Sequence, residues 1–159
     1  MVEHTETVTV RRPVHDVFDF VVTRNYENHP RWEPEVLEIR PLEASSLHIG
    51  SRAVMVRKDF GKVRETTHEC VALEPDCLAT FRHLDSPMAF EITFTFSPVA
   101  EGTRVRIDVR AGFRGGARLL TPLLWLRMPR TSRRLSQGMR DVVEAEVRAG
   151  RPIEAAVPA

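Results

Sequence analysis

The sequence predicts an α+β fold, a seven-stranded antiparallel sheet laid against one long carboxy-terminal helix. Two observations predict it. Apolar residues alternate with a period of two through six segments between Val36 and Phe113, the pattern of half-buried strands. A helical pattern then runs to about Ala149, and a helix arriving after a run of antiparallel strands buries its apolar stripe only by lying across their sheet.

Taken in order, Val8 and Val10 alternate with Thr7, Thr9 and Arg11 as a first strand. Pro13 opens a helix in which Val14, Val17, Phe18, Val21 and Val22 form one stripe, with Asp16 and Asp19 toward the end where the helix dipole favours acids. Residues 25–32 form a second short helix, closed by Pro30 and Pro34. Strands are expected at 36–42, 52–60, 62–73, 77–84, 88–97 and 103–113, separated by turn signals at 45–50, Gly61, 74–76, 85–87 and 99–102. The loop at 99–102 sets Phe96 opposite Val105, Phe94 opposite Ile107 and Ile92 opposite Val109, so that both apolar rows cover one side of the sheet. Gly112, Gly115 and Gly116 free the chain to turn into the last helix, whose first part Pro122 and Pro129 are expected to break or kink. Its second part is regular, with a stripe of Leu135, Met139, Val142, Val143 and Val147 and a stop at Gly150 and Pro152.

The 159 residues carry a formal net charge of +1, with 42% hydrophobic and 28% charged residues. A single domain over 1–150 is expected, followed by a flexible tail at 151–159; a domain of this size buries roughly two-thirds of its unfolded surface, enough for a core without staples. The near-zero net charge gives no global attraction to nucleic acid, so any electrostatic function is local. Cys70 and Cys77 form no CxxC pair and read as two free, buried thiols. The polar amino terminus has no apolar signal-like segment, and no stretch reaches the roughly 18 residues needed to cross a bilayer, so a cytoplasmic protein is expected.

Several short motifs, in this order and spacing, resemble the START-like (SRPBCC) superfamily, with its Bet v 1-like helix-grip fold, and within it the polyketide cyclase and dehydrase group. They are Pro13-Val14-His15-Asp16-Val17-Phe18-Asp19-Phe20 at the first helix, Asn28-His29-Pro30-Arg31-Trp32 in the second, Gly50-Ser51-Arg52, Leu73-Glu74-Pro75 and Glu101-Gly102-Thr103-Arg104-Val105 at turns. The resemblance implies a curved sheet gripping the last helix, with an apolar cavity between them and a mouth near the second helix. It does not imply one activity, since the superfamily holds lipid carriers, metabolite binders, aromatase-cyclases and chaperone activators.

No GxSxG, HExxH, P-loop or GxGxxG motif occurs and the six histidines show no metal-ligand spacing, so neither a metal nor a cofactor is expected. Chemistry, if any, belongs to the cavity wall. Met55, Phe81, Phe90, Ile92, Phe94 and Trp125 are expected to supply apolar contact, with Thr67 or Glu69 as a polar anchor. If the turn at 74–76 sets Ala79 opposite Val71, then Glu65, Thr67 and Glu69 turn inward, and a carboxylate under an apolar roof has a raised pKa suited to proton transfer. A register moved by one residue sends them to solvent and turns His68 and Cys70 inward instead. Glu65, Glu69 and His68 are thus the candidate bases, and His83, beside Asp85 at a strand end, is expected at the surface. Trp32 either roofs the cavity or anchors the second helix, and Trp125 either lines the mouth or stands exposed.

Three functional readings stay open. The first is a binder of a small hydrophobic molecule, lipid or polyketide-like. The second is an aromatase-cyclase or dehydrase in which an inward carboxylate or histidine moves a proton during an aldol closure. The third rests on residues 109–140, which hold eight arginines and no acid, threaded through Leu119, Leu120, Leu123, Leu124, Trp125, Leu126 and Met128. Such a stretch suits an anionic membrane surface or an acidic carrier protein, and an apolar patch at 123–128 would suit a homodimer. A solvated helix face is the plainer alternative, because the whole chain prefers arginine, 21 to 2 lysines.

Overall fold

A computed structural model describes residues 1–59 and 61–148. Strand β1 (Val2–Val10) leads into helix α1 (Val14–Phe18), which widens into a π-helical turn over Asp19–Thr23, and then into α2 (Asn25–Trp32). Six strands follow: β2 (Val36–Pro41), β3 (Arg52–Asp59), β4 (Lys62–Glu74), β5 (Leu78–His83), β6 (Met88–Val99) and β7 (Gly102–Phe113). A 3₁₀ turn (Gly115–Leu120) leads into α3 (Thr121–Arg148). The expected stop at Gly150 and Pro152, the tail at 151–159 and the Val147 side chain lie outside the described residues.

All seven strands form one antiparallel sheet in the order β1-β7-β6-β5-β4-β3-β2. β1 and β2, consecutive in the chain, therefore stand at opposite edges, and α1 and α2 span the gap between them. The β6–β7 pairing is the one the alternation predicts: Phe96 faces Val105, Phe94 faces Ile107 and Ile92 faces Val109. These rows meet Val17, Phe18 and Phe20 from the first helical segment and Met139 and Val143 from α3 in the main core.

Gly102 stands where β7 begins beside the end of β1. Its φ of +146° is open to glycine, and a Cβ there would collide with the Val10 carbonyl. The next residue, Thr103, donates its hydroxyl to the Arg12 carbonyl at 2.8 Å and fixes the exit of β1.

The structure differs from expectation in three places. α3 runs without interruption from Thr121, with Pro129 inside it. Pro122 sits in the first turn, where a missing N–H costs nothing, and Pro129 removes one bond from a helix long enough to hold its course by packing. Cys70 and Cys77 are free, but Cys77 is exposed, because the turn at 74–76 places it outside the β5 ladder.

The third difference decides the site. Glu74 pairs with Leu78 and Leu73 with Ala79, two residues from the pairing of Ala79 with Val71, which leaves parity unchanged up to this point. A bulge between Cys70 and Ala72 then inserts Val71, so that Cys70 pairs with Phe81 and His68 with His83. Side-chain parity reverses across that bulge. Leu73 packs against the core, while beyond the bulge Cys70, His68, Thr66 and Arg64 take the concave face. Glu69, Thr67 and Glu65 turn to the outer face.

Candidate functional site

Between the concave face of the sheet, α2 and the middle of α3 lies a cavity of about 360 Å³, within the size range of small-molecule sites. Its walls differ in chemistry. Phe81, Phe90, Ile92, Phe94 and Val109 from β5–β7, with Met128 and Leu135 from α3, form an apolar wall. Opposite, α2, β3, β4 and the end of β5 contribute Asn25, His29, Arg57, Arg64, His68 and His83, joined by Glu33 just beyond α2 and by Asp59. Arg64, Pro87 and Thr131 are the exposed members of the lining and mark the opening to solvent. The mouth thus lies between the β3–β4 hairpin, the β5–β6 turn and α3, while α2 forms the buried floor.

That floor is held by a continuous network. The spacing of His29 and Glu33 brings them together on one helix side, and His29 Nε2 donates to Glu33 Oε2 at 2.6 Å. Asn25 Nδ2 bonds the Val21 carbonyl at 2.9 Å and lies 3.3 Å from His29 Nδ1, the arrangement of an imidazole protonated on Nε2. Glu33 Oε1 lies 3.2 Å from Arg57 Nη1, and Arg57 Nε donates to Asp59 Oδ1 at 3.0 Å. Burial alone would raise the Glu33 carboxyl, but the hydrogen bond from His29, with the charge and hydrogen bond of Arg57, outweighs it and holds the carboxyl below its ordinary range. Glu33 and Asp59 balance Arg57 and Arg64, so the polar wall offers hydrogen bonds more than net charge.

His68 and His83 face each other across the β4–β5 ladder beside this network. The His83 ring stacks on Phe90 with centroids 4.7 Å apart, and His68 meets Phe81 edge-on at 6.0 Å. Burial pushes both imidazoles down to about 4, so both are neutral at physiological pH. The Nδ1 atoms of both are buried without a hydrogen-bond partner.

Of the residues singled out in the sequence, Met55, His68, Phe81, Phe90, Ile92 and Phe94 line this cavity. The expectation that Glu65, Thr67 and Glu69 turn inward is not met, for the parity reason above. Glu65 is exposed and accepts from Arg40 Nη2 at 2.6 Å. Glu69 lies between Arg82 and Arg52, at 2.9 and 3.2 Å, and the Arg82 hydrogen bond leads in holding its carboxyl low. Thr67 donates its hydroxyl to Asp85 Oδ2 at 2.7 Å, and the Thr67 amide donates to Asp85 Oδ1 at 2.8 Å. Asp85 is held outside by Thr67, whereas His83, expected at the surface, is half-buried and lines the cavity.

Trp32 is 3% exposed, stacks on His29 at 4.0 Å, and belongs to the main core as an anchor of α2. Trp125 is 69% exposed and lies outside the cavity lining. Asn25, His29, Glu33, Arg57, Asp59 and His83 were not singled out for the cavity. Their signals were present: the i, i+4 pair on α2, and the period of two that carries Met55 on to Arg57 and Asp59, and Phe81 on to His83. Among the described residues no group of three or more histidine, cysteine or acidic side chains is arranged to hold a metal ion.

An antiparallel sheet gripping a long carboxy-terminal helix around an internal cavity is the helix-grip architecture of the START-like superfamily. The chain belongs to the family described as polyketide cyclase / dehydrase and lipid transport, which it matches over residues 1–150. No curated protein matches the chain. Among solved structures it is similar to the di-domain ARO/CYC BexL from the BE-7585A biosynthetic pathway, with a TM-score of 0.76 and 20% identity, covering 92% of this chain and 48% of that one. It thus spans about half of that di-domain protein. A START superfamily protein from Mycobacterium smegmatis has a TM-score of 0.76 at 14% identity, covering 90% of this chain and 97% of the other. TTHA0849 from Thermus thermophilus has a TM-score of 0.71 at 19% identity, covering 91% and 98%. At these identities the structural likeness carries the fold alone.

Proposed function

We propose that the protein binds a small hydrophobic molecule with an uncharged polar end, placing its apolar body against Phe81, Phe90, Ile92 and Phe94. The observation that carries this reading is the division of one cavity into an apolar wall and a charge-balanced polar wall. A ligand carboxylate would meet Glu33 and Asp59 as well as the two arginines, whereas a ketone, phenol or enol pairs with neutral imidazole at little electrostatic cost. A test uses 2-naphthol and calorimetric titration. The native protein is expected to bind one equivalent, and Ile92→Trp, which fills the cavity, to bind at least about tenfold more weakly while melting cooperatively. Absence of binding by the native protein, or equal binding by both, overturns the reading.

A second reading is favoured by one feature. His68 and His83 reach the same cavity as neutral imidazoles, the form that takes a proton from a carbon next to a ketone held against the apolar wall, although burial makes each a weaker base than a free imidazole. Arg57 and Arg64 would then face the oxygen on which negative charge develops. This describes an aldol-type cyclase, with His68 the remaining one of the three candidate bases. Aldol closure of 2,6-heptanedione above the buffer rate, lost in His68→Gln while 2-naphthol binding persists, supports catalysis. Closure at the buffer rate with native protein leaves the binder alone.

A further inference from the structure

We propose that the surface formed by the 3₁₀ turn and the first turns of α3 docks on an anionic lipid bilayer, with Leu119, Leu120, Leu123, Trp125 and Leu126 entering the headgroup region. This goes beyond ligand binding and does not depend on it. All five side chains are exposed, Leu119 at 89%. On a helix successive residues turn by about 100°, so Leu123 and Leu126 stand about 60° apart on one side and Trp125 points about 100° or more away from both, while Leu124 and Met128 turn toward the core. The result is a projecting ridge that is apolar on two sides. A fluid bilayer interface closes around such a ridge, whereas a protein partner of ordinary flatness would cover only one side of it.

Charge selects the kind of bilayer. Arg114 and Arg118 precede the ridge, and Arg127, Arg130, Arg133 and Arg134 follow it, with no acidic residue between Asp108 and Asp141. Arg134 pairs with Glu35 at 3.3 Å. Arg114, Arg118, Arg130 and Arg133 are exposed and have no carboxylate partner among the described residues. Exposed arginines flanking an apolar ridge on both sides, with a tryptophan at its centre, match a layer of lipid phosphates over a hydrocarbon boundary. No helix among the described residues is long and apolar enough to cross a membrane, so the ridge lies on the bilayer without spanning it. The cavity mouth is near: Thr131, one of its exposed lining residues, follows Leu126 by five positions on α3.

The test is co-sedimentation of the full chain with phosphatidylcholine vesicles, with and without about a quarter phosphatidylglycerol. Binding is expected only with phosphatidylglycerol and is expected to weaken from about 50 to about 300 mM NaCl. Replacing Arg118, Arg130 and Arg133 together by Gln is expected to lower partitioning about a hundredfold, at about fivefold per charge. Trp125→Ser is expected to lower it about tenfold, and both variants, altered only at exposed positions, to keep the native circular dichroism. Equal binding to both vesicle types, none to either, or no effect of Trp125→Ser overturns the proposal. So does a stable dimer in vesicle-free solution that the same Trp125→Ser change dissociates, since the ridge would then belong to a second copy of the chain.

Discussion

His68 of β4 lies directly across the ladder from His83 of β5, and both imidazoles face the cavity. Burial holds each at about 4; at His83 the charge of Arg57 adds to this, while Asp85 and Glu33 oppose it. In the unfolded chain both titrate near 6.5, so between about pH 4 and about pH 6.5 the unfolded state binds more protons. The stability associated with neutral imidazoles is therefore complete above about pH 6.5 and is lost as pH falls through that window. Melting temperature should decline from about pH 6.5 downward, and His83→Gln should flatten the slope by roughly half. Glu33, Asp85 and Asp108 are held below their ordinary values and lose their contribution only at lower pH. A melting temperature that stays level from about pH 7 to about pH 5 would contradict two buried neutral histidines.

Glu33 is the hub of the polar wall, bonded to His29 and paired with Arg57, and its side chain is 12% exposed. Removing its charge leaves Arg57 partly buried with Asp59 alone, so Glu33→Gln should destabilise the protein by about 3 kcal/mol in urea unfolding. Glu65, paired with Arg40 on the outer face and 60% exposed, provides the contrast. Glu65→Gln should cost under about 1 kcal/mol, because water screens that pair and competes for both partners. Equal costs would mean that the cavity network is not shielded from solvent.

Gly138 is where α3 crosses the end of α2. A Cβ there would stand 2.6 Å from the Trp32 carbonyl oxygen, a backbone atom that cannot swing aside. Within an isolated helix alanine is favoured over glycine by about 1 kcal/mol. The collision should outweigh that gain, so Gly138→Ala is expected to destabilise by roughly 1 to 3 kcal/mol, read by thermal melting. An increase in melting temperature would show that α2 and α3 separate easily at this crossing.

Most of the fold was legible because the chain repeats itself at strand and helix periods. The β6–β7 register followed from two rows of alternating apolar residues and one four-residue loop, with nothing competing. The helix through Pro129 was not legible, since local propensity opposes it and only contacts distant in sequence, at Met128, Leu135 and Met139, favour it. The candidate site was half legible. Apolar lining residues announce themselves by alternation, so Phe81, Phe90, Ile92 and Phe94 could be placed on one face. The polar wall could not be placed on β4, because a single inserted residue at Val71 inverts parity and no local signal marks it. His83 and Arg57 were legible in principle from the phases of Phe81 and Met55; their charge made a solvent-facing reading natural, and only the facing network of α2 offsets the cost of turning them inward.

We assign uptake of a small apolar molecule to this cavity and to no other surface. The five methionines report on it directly, because Met55, Met88 and Met128 line the cavity while Met139 is in the core and Met1 is exposed at the amino terminus. With the methionine methyl groups labelled with carbon-13, 2-naphthol is titrated in and the five NMR signals are followed. The Met55, Met88 and Met128 signals are expected to shift together and saturate with a single dissociation constant, while those of Met1 and Met139 hold still. Saturable shifts confined to Met1, or no shift at Met55 and Met128, would show that the cavity is not where the molecule binds.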